Sequence, residues 1–362
     1  MKATLMLEDG KSFIGTAMAG SSGERIGEVI FNTAVVGYQE MLTDPANAGK
    51  ILIFTYPLIG NYGCAPKFNQ SKKVWVEAAV IKEKSRIYSN WQATASFDDF
   101  VRENKLLVLA GVDTRSLAVH LRQKGQMLGI ISADSREPKE LLKKLEEYRK
   151  QPPKSFLPET STHKVIVHGS PKPRQKKIAV LDLGITNGTL KQLHLAGFHV
   201  TQVPYNTSAK DILELKLHGL VVSSGPEQDP ALTVVSENVK ALLGKIPVLG
   251  IASGHQVLAA ALGAKVQKMR LGHRGVNYPV HNPSSYKGEI TVQNHSYAVD
   301  ADSLGRIKDV KITGYNLNDR TVEEMESRKL KLLSVQYDPA CPGFDEVNPV
   351  FIRFKKLLER RS

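Results

Sequence analysis

Cysteine is scarce in this 362-residue chain, with Cys64 and Cys341 the only two. Two thiols make no disulfide framework, which excludes the small stapled secreted scaffolds and fits a reducing cytoplasm. Long hydrophobic runs are missing as well. No apolar stretch reaches the roughly 20 residues of a membrane-spanning helix. The opening "MKATLMLEDGKSF" meets an acidic residue at Glu8, too soon for the apolar core of a signal peptide. Aromatic residues are few, at 7%, and no aromatic RNA-binding motif or zinc-finger spacing accompanies the basic residues. The net charge of +13 is spread over runs such as "KKLEEYRK", "KPRQKK" and "FKKLLERR". Several interleave with glutamate, as solvated helix faces do. Neither nucleic acid nor a membrane is therefore expected as a partner. No His/Cys/Asp cluster has metal-ligand spacing, and no glycine loop has the form that cradles ATP phosphates.

What is present suffices for two domains. Residues 1–150 read as a β-rich α/β domain. "ATLMLEDGKSFIGTAM" gives two strands around Asp9-Gly10, a hairpin signal. "GEVIFNTAVVGYQEML", "KILIFTYPLIGNYG" and "VWVEAAVIKE" read as further strands. "DDFVRENKL", "DTRSLAVHLRQKG" and "PKELLKKLEEYRKQPP" read as helices, the second with Asp113 or Thr114 as N-cap and Gly125 as its stop. Residues 151–176 are rich in Pro, Ser, Thr and Lys and read as a linker. From 177 to 362, apolar runs alternate with helical patterns. That alternation predicts a mostly parallel sheet with helices on both faces. Sites in such sheets lie at the carboxyl ends of strands, which here means the loops 184–188, 223–230 and 252–256.

The last of these loops poses the functional question. "PVLGIASGHQVLAAALGAK" runs from a buried strand through a sharp turn into a small-residue helix, the layout of a nucleophile elbow. The tip residue is Ala252, whose methyl group attacks nothing.

With the loops placed, the chain resembles the small-subunit family of glutamine-dependent carbamoyl-phosphate synthetases over almost its full length. The N-terminal half carries "LEDGKSFIG", "GEVIFNTAVVGYQEMLTDP", "TYPLIGNYG" and "GVDTRSLAVHLRQKG". The C-terminal half resembles a class I glutamine amidotransferase domain through "DLGITNGTL", "SSGPEQDP", "GIASGHQ", "GHRGVNYPV", "QNHSYAVD" and "SVQYDPACPG". The resemblance implies a subunit that hydrolyses glutamine and passes ammonia to a large subunit, where ATP and Mg²⁺ are used. No cofactor is implied for this chain. The carbamoyl phosphate would serve pyrimidine and arginine biosynthesis.

That chemistry needs a thiolate, a base, an orienting carboxylate and oxyanion donors. Aligned on Gly254-His255-Gln256, the cysteine position holds Ala252, and Ser253 stands one place beyond the tip. Aligned on Gln336 and Pro339, the histidine position holds Asp338 and the glutamate position Ala340. A solvated aspartate with a pKa near 4 is a poor base for a serine. In the oxyanion loop, Gly225 is kept, but Glu227 replaces a second glycine and the loop is one residue longer. In the glutamine pocket Gln256 and Asn294 match the family, whereas Ser296 and Tyr297 stand where it has Gly-Phe. Ala34 replaces a serine near the site, Val276 a glycine, and Thr186 a lysine. His255 and His295 belong to motifs outside the triad and are expected to bond loop backbone. The expectation is therefore a subunit whose glutaminase is lost or strongly impaired, with at most a weakened hold on glutamine. Two alternatives remain open: a glutaminase rearranged around Ser253, Asp338 or Cys341, and a non-enzymatic paralogue that binds another partner or a metabolite.

Overall fold

The strand "KKIAVLD" shows how the C-terminal half is built. Ile178 and Val180 enter one apolar cluster, while Ala179 and Leu181 enter another. Side chains of a strand alternate between faces, so a continuous apolar run is buried only where both faces are covered. The computed structural model describes residues 2–18, 21–134, 137–285, 288–340 and 346–359. Contacts divide the chain into two units, Met1–Pro153 and Lys154–Ser362.

In the first unit, the strands β1 (Lys2–Leu7), β2 (Ser12–Ala17), β3 (Glu24–Asn32), β4 (Lys50–Phe54), β5 (Ala78–Val80), β6 (Leu107–Ala110) and β7 (Met127–Ser132) close into a barrel. Its order is β1-β2-β6-β5-β4-β3-β7. The hairpin at Asp9-Gly10 forms, with Gly10 at φ +86°. The helix Thr114–Lys124 is capped by the Asp113 carboxylate, which accepts from Ser116 N, and it stops at Gly125. The helix Pro138–Arg149 lays Leu141 and Leu145 on Met6 and Ile130. One segment departs from the strand reading: Tyr38–Leu42 is a short helix entered through Gly37 at φ +93°. That left-handed turn suits glycine and redirects a β-branched run. Cys64 is buried here, and burial, with Glu40 adding to it, pushes its thiol up to about 12. Cys341 lies outside the described residues.

In the second unit, a sheet runs β8 (Ile166–Val167), β10 (Phe198–Pro204), β9 (Lys176–Asp182), β11 (Gly219–Val222), β12 (Val248–Ile251) and β17 (Leu332–Val335). It continues through β16 (Val322–Ser327), β14 (Gly288–Val299), β13 (Val266–His281) and β15 (Lys311–Asn316). From β10 to β17 neighbours are parallel, and beyond β17 the pairing is antiparallel. The stretch read as a linker carries two short elements. Ile166–Val167 pairs with β10, and the turn Leu157–Thr160 docks on Asp229. The Asp229 carboxylate accepts from Ser155 Oγ at 2.6 Å and from the backbone N–H groups of Phe156 and Leu157. Those bonds hold a proline- and serine-rich segment that has no apolar periodicity of its own.

Candidate functional site

The parallel strands deliver the three expected loops to one edge of the sheet. At the end of β12, Ala252 adopts φ 52°, ψ −112° and leads directly into the helix Ser253–Ala261. This is the sharp turn of an elbow, held by Ala252 N donating to Val335 O at 2.9 Å. A β-carbon on Gly254 would fall 2.1 Å from Val222 O, so the helix can start this close to β11 only with glycine there. A non-glycine residue at this φ stores on the order of 1–3 kcal/mol of strain. Ala252→Gly is therefore expected to raise stability by up to about 1 kcal/mol, after the greater unfolded-chain freedom of glycine is subtracted. A lower urea midpoint for that variant would contradict a strained tip.

The residues expected at the triad positions are Ala252, Asp338 and Ala340. Asp338 N donates to Val292 O at 2.9 Å, and Asp338 Oδ1 accepts from Ala340 N at 2.8 Å. Asp338 lines a cavity of about 440 Å³ together with Gln192, Val276, Thr291, Tyr337 and Asn348. Ala340 is buried. Ser253 is 1% exposed, and its Oγ has no hydrogen-bond partner among the described residues. With no base in contact, nothing activates the hydroxyl.

In the loop expected to serve the oxyanion, the Glu227 side chain turns onto neighbouring backbone. The Glu227 carboxylate accepts from Ser296 N at 2.8 Å through Oε2. Its Oε1 accepts from Gln256 Nε2 at 2.7 Å and from Tyr297 N at 3.3 Å. Gln256 Nε2 also donates to Tyr297 O and Gln336 Oε1, each at 3.2 Å, and three surrounding acceptors fix the orientation of its amide. Glu227, Gln256, Ser296 and Tyr297 thus come together, while Gly225 packs on Leu183 two residues before Glu227. Asn294 pairs with Arg274 in the ladder behind them. Ala34 is buried in the first unit, its N–H donating to Asn32 Oδ1 at 2.7 Å. Thr186 caps the helix Asn187–Leu195 by accepting from Thr189 N.

Both His255 and His295 are fully buried. His255 Nδ1 lies 2.8 Å from Ser334 Oγ, so its partner is a strand side chain and not the loop backbone that was expected. His295 Nδ1 lies 2.9 Å from Tyr297 O, a backbone contact as expected. Burial, reinforced by mutual repulsion, lowers His255 to about 3. Burial is also the main cause that brings His295 to about 4.

Sequence reasoning missed the groups behind them. His273, His295 and Glu323 bring ligand-type atoms within 4.8 Å of one another, a convergence in space that has no ligand spacing in the sequence. The three residues sit on β13, β14 and β16, so no sequence spacing signals them. Burial alone would lower His273, but the Asp319 and Glu323 carboxylates outweigh it and hold it at about 9. Asp319 Oδ2 lies 2.9 Å from His273 Nε2, and Asn316 Nδ2 donates to Glu323 Oε1 at 3.3 Å. A protonated His273 facing a buried Glu323 is a charged knot that ties three strands together. Arg274 extends it, donating to His295 O at 3.1 Å and to Ser296 Oγ at 2.7 Å. The knot thereby sets the backbone that presents Ser296 N and Tyr297 N.

Comparison with known proteins matches residues 5–131 to the carbamoyl-phosphate synthase small chain, CPSase domain, and residues 179–342 to the class-I glutamine amidotransferase family. A carbamoyl phosphate synthase small chain of Akkermansia muciniphila is 40% identical over 99% of this chain and 98% of its own. The chain belongs to the carbamoyl-phosphate synthase small chain family. A small chain of Listeria monocytogenes is 39% identical over 100% of this chain and 98% of its own. The pyrimidine-specific small chain of Bacillus subtilis is 37% identical over 99% of this chain and 96% of its own. No helix among the described residues is long and apolar enough to cross a membrane.

Proposed function

We propose that this chain serves as the small subunit of a carbamoyl-phosphate synthetase without a glutaminase of its own, supporting a large subunit that draws on free ammonia. The observation that carries this reading is the elbow tip: Ala252 offers no nucleophile, and the neighbouring Ser253 hydroxyl is buried without a base. Asp338 supports it further, since its carboxylate caps Ala340 N. Domain limits near residue 150 and a partner-facing N-terminal unit belong to the same reading, as do ATP and Mg²⁺ on the large subunit and a role in pyrimidine and arginine synthesis.

The test is to purify the chain alone and with its large subunit. Ammonia release from glutamine and carbamoyl phosphate synthesis from ammonium are then assayed separately. Glutamine turnover is expected at least about 10⁴-fold below that of a triad-intact relative, because triad groups act as a unit whose loss costs this much or more. Ammonium-dependent synthesis is expected to be faster with the chain than without it. Glutamine hydrolysis at a rate within tenfold of the relative would overturn the reading. Labelling of Ser253, Asp338 or Cys341 by a glutamine-like electrophile would then locate the rearranged chemistry.

A further inference from the structure

We propose that Glu227 is the resident occupant of a carboxylate-binding subsite, and that by filling it the chain excludes glutamine and other free amino acids from its own pocket. This rests on the reading of the site as a former glutamine pocket, which Gln256, Ser296 and Tyr297 would line.

The donor set defines the ligand class. Two consecutive backbone N–H groups, Ser296 and Tyr297, and the Gln256 side-chain amide converge on one carboxylate. Both carboxylate oxygens are engaged, Oε2 by Ser296 N and Oε1 by the other two donors. Charge-assisted bonds of this kind are the stronger ones, and leaving buried N–H groups unmet is costly. A neutral ligand would satisfy this cradle poorly.

The loop is built to hold Glu227 there. Gly225 is pressed against the backbone just past the end of β9: a β-carbon on it would lie 2.1 Å from Leu183 O. Gln228 then takes φ +51°, a left-handed conformation that turns the chain immediately after Glu227. Asp229 is pinned by Ser155 Oγ, Phe156 N and Leu157 N, and itself accepts from Ala231 N at 3.0 Å. Both ends of the three-residue turn are thus anchored, and Glu227 does not need to search for its partners. A tethered group competes at an effective concentration of about millimolar or higher, even on a flexible linker. An anchored one exceeds that. Free amino acid must therefore displace a carboxylate that is already in place and does not diffuse away. Room for a ligand persists alongside, since a cavity of about 310 Å³ opens beside Gln256, with Leu232 and Val257 on its wall.

The test uses the full chain as wild type, Glu227→Ala and Glu227→Gln. L-glutamine and L-glutaminol, which lacks the carboxylate, are titrated calorimetrically, and amide exchange is followed at Ser296 and Tyr297. L-glutamine is expected to bind Glu227→Ala at least about tenfold more tightly than wild type, the equivalent of one charge-assisted bond regained. L-glutaminol should show no such gain. The two amides should exchange faster in Glu227→Ala and slow again with L-glutamine. Glu227→Gln keeps the size but not the charge, so it should show the same changes in smaller degree. It also serves as the test protein if Glu227→Ala melts early. Wild type that binds L-glutamine as tightly as the variants would overturn the proposal. So would folded variants that bind none and keep both amides as protected as in wild type. Failure of this kind without ammonia release leaves the proposed function standing. Ammonia release by Glu227→Ala, but not by wild type, would instead sink the proposed loss of chemistry while leaving Glu227 as the occupant.

Discussion

Gly254→Ala is expected to lower the unfolding free energy of the C-terminal unit by about 3 kcal/mol or more, the upper range for overpacking. The added β-carbon would meet Val222 O at 2.1 Å and Ser223 O at 3.0 Å, both backbone atoms at the end of a central strand. A flexible side-chain end could swing aside, but these cannot move without shifting β11, which is paired on both edges. Gly250 faces the same crossing: its β-carbon would lie 2.8 Å from Gly254 O and 2.4 Å from Leu258 Cδ1. The elbow is therefore a packing device independent of any nucleophile. The control is Gly305→Ala, where nothing lies within 4 Å of the new carbon and the cost should stay within about 0.5 kcal/mol. Urea unfolding followed by far-UV dichroism decides the matter. Both tryptophans, Trp75 and Trp91, lie in the first unit, so their fluorescence reports that unit in the same sample. Midpoints for the two variants that agree within error would remove the steric account of the elbow.

Stability is expected to peak near pH 6.5 and to fall on both sides for opposite reasons. In the unfolded chain every histidine titrates near 6.5. Folded, His255 is lowered to about 3 and His295 to about 4, both mainly by burial. Between pH 6.5 and 4 the unfolded chain therefore binds two more protons than the folded one, and stability drops as pH falls. The slope approaches about 1.4 kcal/mol per pH unit for each histidine. His273 has the reverse sign. Its folded pKa is raised to about 9, so its contribution is complete below 6.5 and is lost as pH rises through 9. The facing groups that set these values are Asp319, Glu323 and Arg274, with His295 acting on His255 and His273 acting on His295. Urea midpoints between about pH 4.5 and 9.5 measure the effect, and His295→Gln should halve the acid limb. Midpoints that stay flat from pH 6.5 down to 5 would mean that the two histidines are charged or solvated in the folded chain.

The parallel core was legible because its strands are short continuous apolar runs and its helices carry their own stops. Thr186 caps one of them and a left-handed Gly197 follows its end, and in the first unit Asp113 and Gly125 bracket a helix in the same way. The strand Val266–His281 was not legible. Its ladder shifts register between Lys268 and His273 and again between Gly275 and Tyr278, which breaks the two-residue alternation that marks a strand. Tyr38–Leu42 was hidden by β-branched neighbours and a turn only glycine makes easily. At the site, Ala252 at the elbow tip and Glu227 in the neighbouring loop could be read directly. The direction in which Glu227 points could not, because it depends on a left-handed Gln228 and on an Asp229 clamp made with residues some seventy positions earlier. The histidine–glutamate knot was invisible for a similar reason, its members meeting only once three strands are aligned.

The way Asp338 and Glu227 are bonded bears on how freely these two positions can change. Asp338 caps Ala340 N, and Glu227 satisfies Ser296 N, Tyr297 N and Gln256. Replacing either one breaks bonds the fold currently uses. Under the proposed function, each single step toward a catalytic side chain is a loss by itself, and the site would act as a ratchet against such a change.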